Sequence, residues 1–157
     1  MTTNLQYLPK AYRQCAWEFY VELSTRRAVT GKPNDPHDFR GEIYVESFDS
    51  LYALFGEARN IMRRIPVESM NPLNPLCPCL LPDLMCHALK NVIRPFLESW
   101  QADYRFWWDR VSDKFLTPFE RQTFYPKRDE MLAYWGKARE EMQAIQQKVN
   151  SIYILGD

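Results

Sequence analysis

Apolar residues return every three to four positions along four stretches of this chain, the spacing that gives a helix one water-excluding face. In the first stretch Tyr12, Ala16, Phe19 and Leu23 share a face, with Cys15 beside them. Pro9 suits its first turn, and Arg26 and Arg27 suit its last turns, where cations favour the helix dipole. Gly31 and Pro33 stop it. The second stretch runs from about Ser47, a plausible N-cap, to Ile65, with Phe48, Leu51, Leu54, Phe55, Ala58, Ile61 and Met62 on one broad stripe. Arg63 and Arg64 close it before Pro66. The third begins with Asp83 as a cap and carries Leu84, Ala88, Val92, Phe96, Trp100, Tyr104, Trp107 and Val111. Pro95 interrupts it, which predicts a kinked helix or two abutting helices broken at Arg94. The fourth, from about Lys127 to Ser151, places Met131, Leu132, Trp135, Ala138, Met142, Ile145, Val149 and Ile152 inward.

The intervening segments modify this picture little. Residues 31–40 hold two prolines with Asn and Asp and read as a loop. Residues 41–46, GEIYVE, alternate like a short strand but have no partner strand, so they read as an extended lead-in or the start of the next helix. Five prolines across 66–82 forbid a regular helix or a central strand there, yet the segment is apolar enough to pack over the domain. Thr117, Pro118 and Glu120 supply an N-cap, a first-turn proline and an N3 carboxylate for a short helix ending before Pro126. The expected fold is all-α: one domain over residues 1–157, an antiparallel bundle of four long helices, the third kinked at Pro95, with a Pro-rich loop at 66–82.

Composition narrows the function classes. Forty-six per cent of residues are apolar, too many for a disordered chain. Twenty basic residues balance twenty acidic ones, whereas a general nucleic-acid binder carries a basic excess. A local patch from Arg26, Arg27, Arg63 and Arg64 would be the alternative route to nucleic acid. The N-terminal stretch lacks the apolar run of a signal peptide, and no run approaches the length of a membrane span. The expectation is a cytoplasmic protein with reduced cysteines.

Candidate chemistry is sparse. Cys77, Cys79, Cys86 and His87 lie within eleven residues and offer thiolates and an imidazole for zinc, although C-x-C is not the usual first-pair spacing and adjacent helical side chains diverge. As alternative readings these residues are buried small hydrophobes or part of a small cysteine- or metal-dependent enzyme. Cys15 meeting His37 would be a nucleophile–base pair, and Glu18, Glu22, Asp38, Glu42 and Glu57 the raw material of a carboxylate site. No E-x-x-H pair, G-x-S-x-G or phosphate-binding glycine motif occurs. The preferred binding candidates are Trp100, Arg105, Trp107, Trp108 and Arg110. These residue types dominate interface hot spots, and Trp107 and Trp108 point about 100° apart on a helix, so both cannot face one narrow core. They imply a protein partner or self-association, with no cofactor.

The segment VIRPFLESWQ, with the upstream helix SLYALFGEARNIMRR, resembles helical modules of uncharacterised bacterial proteins, some linked to phage-defence or conflict systems. The shared elements are an arginine-bearing amphipathic helix and the R-P-F-L-x-x-W kink, over about a third of the chain. The resemblance implies an accessory or adaptor part without catalytic residues. At the kink, Pro95 frees the carbonyl of Asn91, and Arg94 is expected to clamp a freed carbonyl or Glu57.

Overall fold

A computed structural model describes residues 10–67, 80–111 and 115–154. Its helices are α1 (Lys10–Thr25), α2 (Arg27–Thr30), α3 (Tyr44–Arg64), α4 (Leu80–His87), a π-helical turn (Ala88–Ile93), α5 (Arg94–Arg110), α6 (Pro118–Gln122) and α7 (Arg128–Ile154). The all-α expectation holds: among the described residues there is no β-strand, only one isolated bridge between Lys32 and Asp35. No helix among them is long and apolar enough to cross a membrane.

The stripes meet as their spacing requires. Phe48 of α3, Phe96 of α5 and Trp135 of α7 are all buried, with ring centroids 5.7 Å (Phe48–Phe96), 5.4 Å (Phe48–Trp135) and 5.0 Å (Phe96–Trp135) apart. Such pairs contribute about 0.5–1.5 kcal/mol each beyond their area burial. From α1, Tyr12, Ala16, Phe19 and Leu23 are fully buried. The Tyr12 hydroxyl accepts the Leu81 N–H at 2.8 Å, satisfying an amide in the first turn of α4.

Several boundaries differ from the sequence expectation, each for a tertiary reason. α3 starts at Tyr44, not at Ser47, and no side chain of its own caps it. The Tyr44 N–H instead donates to Gln122 Oε1 at 2.9 Å, while Gln122 Nε2 donates to the Glu42 carbonyl at 2.7 Å. A buried glutamine 78 residues away thus supplies the cap. Asp83 lies inside α4, which already includes Leu80 and Pro82; a first-turn proline loses no helical hydrogen bond. The 66–82 loop is therefore helical over 80–82, and residues 68–79 lie outside the described set. α1 ends at Thr25, and Arg26 is extended (φ −103°, ψ 99°) before α2 begins.

Pro95 breaks nothing. In a regular α-helix its ring would meet the Asn91 carbonyl. The preceding π turn shifts the hydrogen-bond register by one residue, with the Arg94 N–H donating to Leu89 O, so helical backbone continues from α4 through α5. Arg94 does not clamp Glu57: it is exposed, with its guanidinium 5.8 Å from the Phe55 ring centroid, and the two form no ion pair. At α6 the expectation holds, the Thr117 hydroxyl oxygen accepting the Glu120 N–H at 3.2 Å.

The largest departure is Arg139. It is fully buried on the core side of α7, where only apolar residues were expected. Its Nη2 donates to Glu42 Oε1 at 2.5 Å, its Nε donates to the Ala28 carbonyl at 3.3 Å, and its guanidinium carbon lies 4.0 Å from the Phe39 ring centroid. Burial pushes the guanidinium below its usual pKa, against the opposing pull of Glu42.

Candidate functional site

The end of α5, the 115–126 segment and the start of α7 form an aromatic end to the molecule. Helical phasing turns Tyr104 inward, where it is fully buried, and sets Trp107 and Trp108 half-buried on either side. The divergence expected of these tryptophans is what lets each meet a different part of the following segment. Trp107 packs on Tyr125, centroids 5.3 Å apart, and the Arg121 guanidinium lies 3.8 Å over the Trp108 ring. Tyr104 and Tyr125 meet edge to face at 4.9 Å. Burial raises the pKa of both tyrosines, and the Tyr104 hydroxyl has no hydrogen-bond partner among the described residues.

The Tyr125 hydroxyl donates to Asp103 and holds its carboxyl below the usual carboxylate range. Lys127 Nζ reaches the other Asp103 oxygen at 3.4 Å. Beside this triad is an open groove of about 270 Å³, lined by Asp103, Phe106, Trp107, Arg110, Tyr125, Pro126 and Lys127. Arg110 lies 3.7 Å over the Phe106 ring and pairs with no carboxylate among the described residues.

Of the five expected binding residues, Trp107 and Arg110 line this groove. Trp108 is occupied under Arg121, and Arg105 reaches across to Asp49 of α3. Trp100 is half-buried, its enclosed Nε1 without a partner among the described residues. The sequence reading missed Asp103, Tyr125 and Lys127; Phe106 belonged to the aromatic run 100–108 but was not among the chosen binding residues. Phe106 sits off the buried stripe, and a large apolar residue off the stripe but next to it was the available signal.

The other candidate chemistry is dispersed. Cys77 and Cys79 lie outside the described residues. Cys86 ends half-buried near the close of α4, and Nδ1 of the exposed His87 contacts Asn91 Nδ2 at 3.0 Å. Among the described residues, no three His, Cys, Asp or Glu side chains are grouped to hold a metal ion. Cys15 is buried, its thiol donates toward the Ile61 carbonyl at 3.7 Å, and burial pushes its pKa up. His37 pairs with Glu140 at 2.6 Å, not with a thiol. Glu18 holds Arg64 at 2.7 Å and Glu22 holds Arg26 at 2.7 Å, so two of the four surface arginines considered for nucleic acid are already neutralised.

Compared with protein-family models, with curated proteins and with solved structures, the chain matches none.

Proposed function

We propose that this chain is a non-catalytic, cytoplasmic interaction module that docks a partner protein through the aromatic end of α5. One observation carries the reading. Of nine phenylalanines, Phe19, Phe39, Phe48, Phe55 and Phe96 are buried, and the four exposed ones, Phe106, Phe115, Phe119 and Phe124, all fall between residues 106 and 124. Trp17, Tyr52, Val67, Leu80 and Tyr134 are exposed elsewhere, and such scattered residues need no explanation; the concentration of four exposed phenylalanines between residues 106 and 124 supports a contact surface there. Aromatic and arginine side chains are the usual anchors of such contacts.

The chemistry of the groove specifies its occupant. Trp107, Tyr125 and Pro126 offer apolar walls, and Arg110 offers a guanidinium without an internal carboxylate. The fitting partner segment carries an apolar anchor flanked by an acidic residue. An accessory role in a bacterial defence assembly agrees with the resemblance of the R-P-F-L-x-x-W segment, but the docking reading rests on the surface alone. Cysteine catalysis has less support, since Cys15 is held as a buried thiol.

The test is site-specific photocrosslinking in cells, with benzoylphenylalanine at Phe106 or, as a control, at exposed Tyr52 of α3. A discrete adduct from position 106, weakened by Arg110→Glu and absent from position 52, is expected. A self-adduct identifies the partner as a second copy. Equal or no crosslinking at both positions refutes the proposal.

A further inference from the structure

A recess of about 470 Å³ opens between the C-terminal half of α1, α2 and α7. Gln143, Gln146, Gln147 and Asn150 line it from α7, at offsets of three, four and seven residues that fall on one helix face. Gln143 spends its amide N–H groups on the Thr30 and Lys32 carbonyls, at 2.7 and 3.0 Å, and so fixes the floor. The side-chain amides of Gln146, Gln147 and Asn150 make no hydrogen bond among the described residues. On the α1 side, the Ser24 and Thr25 hydroxyls donate to their own helix, at 2.8 and 2.7 Å, which leaves their oxygen lone pairs directed outward as acceptors.

Among the described residues, Arg27 is the single charged residue in the lining and no carboxylate shares the recess. Its neighbour Arg26 is bound to Glu22 and Ser50, whereas the Arg27 guanidinium forms no ion pair among the described residues. An apolar ligand would strip water from three amides and a guanidinium and return nothing, a net penalty. A ligand that fits must supply donors, acceptors and an anionic group. The volume lies within the range of about 300–1,000 Å³ usual for small-molecule sites. We propose that this recess binds a small polyhydroxylated anion, a sugar acid or a sugar phosphate, with its anionic group on Arg27 and its hydroxyls on Gln146, Gln147 and Asn150. The guanidinium fork suits either carboxylate or phosphate.

The site shares no residue with the α5 groove and stands independently of the docking proposal. Its test is titration of the ¹⁵N-labelled protein with gluconate, glucose 6-phosphate, glucose and inorganic phosphate, reading the side-chain amide signals of Gln146, Gln147 and Asn150. Saturable shifts with gluconate or with glucose 6-phosphate are expected, and which of the two binds identifies the anionic group. Arg27→Gln should weaken that binding by about tenfold, the loss of a charge-assisted hydrogen bond. Gln147→Leu, at an exposed position, should weaken it without changing the melting temperature. No saturable shift with either acid, undiminished affinity in Arg27→Gln, or equal affinity for inorganic phosphate alone would overturn the proposal.

Discussion

Replacing Glu42 with alanine should be among the most damaging single changes this fold can suffer. Arg139 is fully buried; among the described residues its only other hydrogen bond is the 3.3 Å contact to Ala28 O, and its Nη1 has no partner. Without Glu42 the guanidinium keeps its desolvation penalty and loses its counter-charge. Breaking such a pair costs about 3–5 kcal/mol, against a total stability of about 5–15 kcal/mol for a domain. With a urea slope of about 2 kcal/mol/M, the midpoint followed by helical ellipticity should fall by about 1.5–2.5 M. The double variant Glu42→Leu/Arg139→Met removes both charges and keeps apolar volume against Phe39 and Trp135, so it should lie near the parent or above it. The result that refutes the reasoning is a midpoint for Glu42→Ala within about 0.5 M of the parent. A double variant as unstable as the single one would refute it equally.

Gln122→Leu strands the Tyr44 N–H and the Glu42 carbonyl, should cost at least about 2 kcal/mol, and should remove hydrogen-exchange protection at Tyr44, measurable by amide exchange. Asp103 has its pKa lowered by the Tyr125 hydroxyl, so this bond stabilises the fold above the unfolded carboxyl pKa of about 3.9 and the contribution is lost as pH falls through the folded value. The melting-temperature gap between parent and Tyr125→Phe should therefore be full near neutrality and shrink at acid pH; a pH-independent gap would contradict the assignment. At Gly136 a Cβ would stand 2.1 Å from His37 Nδ1, but His37 is an exposed side chain that can swing away. Gly136→Ala should lose the His37–Glu140 contact in NMR yet hold its melting temperature, since alanine contributes about 1 kcal/mol of helix propensity in return.

The parts of the fold that were legible in the sequence are those set by local periodicity. Tyr12, Phe48, Trp135 and Val149 are buried where their spacing puts them, and Thr117 caps α6 as its motif requires. What was not legible depends on partners far along the chain. The start of α3 belongs to Gln122, the register before Pro95 is absorbed by a π turn, and Arg139 enters the core because Glu42 and the Ala28 carbonyl meet it there. At the candidate site, residue type alone singled out Trp107 and Arg110. It could not separate them from Trp108, whose second face is covered by Arg121, or supply Tyr125, which the chain delivers from the next segment.

The clasp made by Gln122 on residues 42–44 has a consequence for biosynthesis. Glu42 waits 80 residues for that amide and 97 for its arginine. A nascent chain leaving the ribosome therefore presents α1 and α3 before Gln122 and Arg139 exist, and their apolar faces must survive until those residues have been made. Closure around Glu42 therefore waits for α7, the helix that carries Arg139.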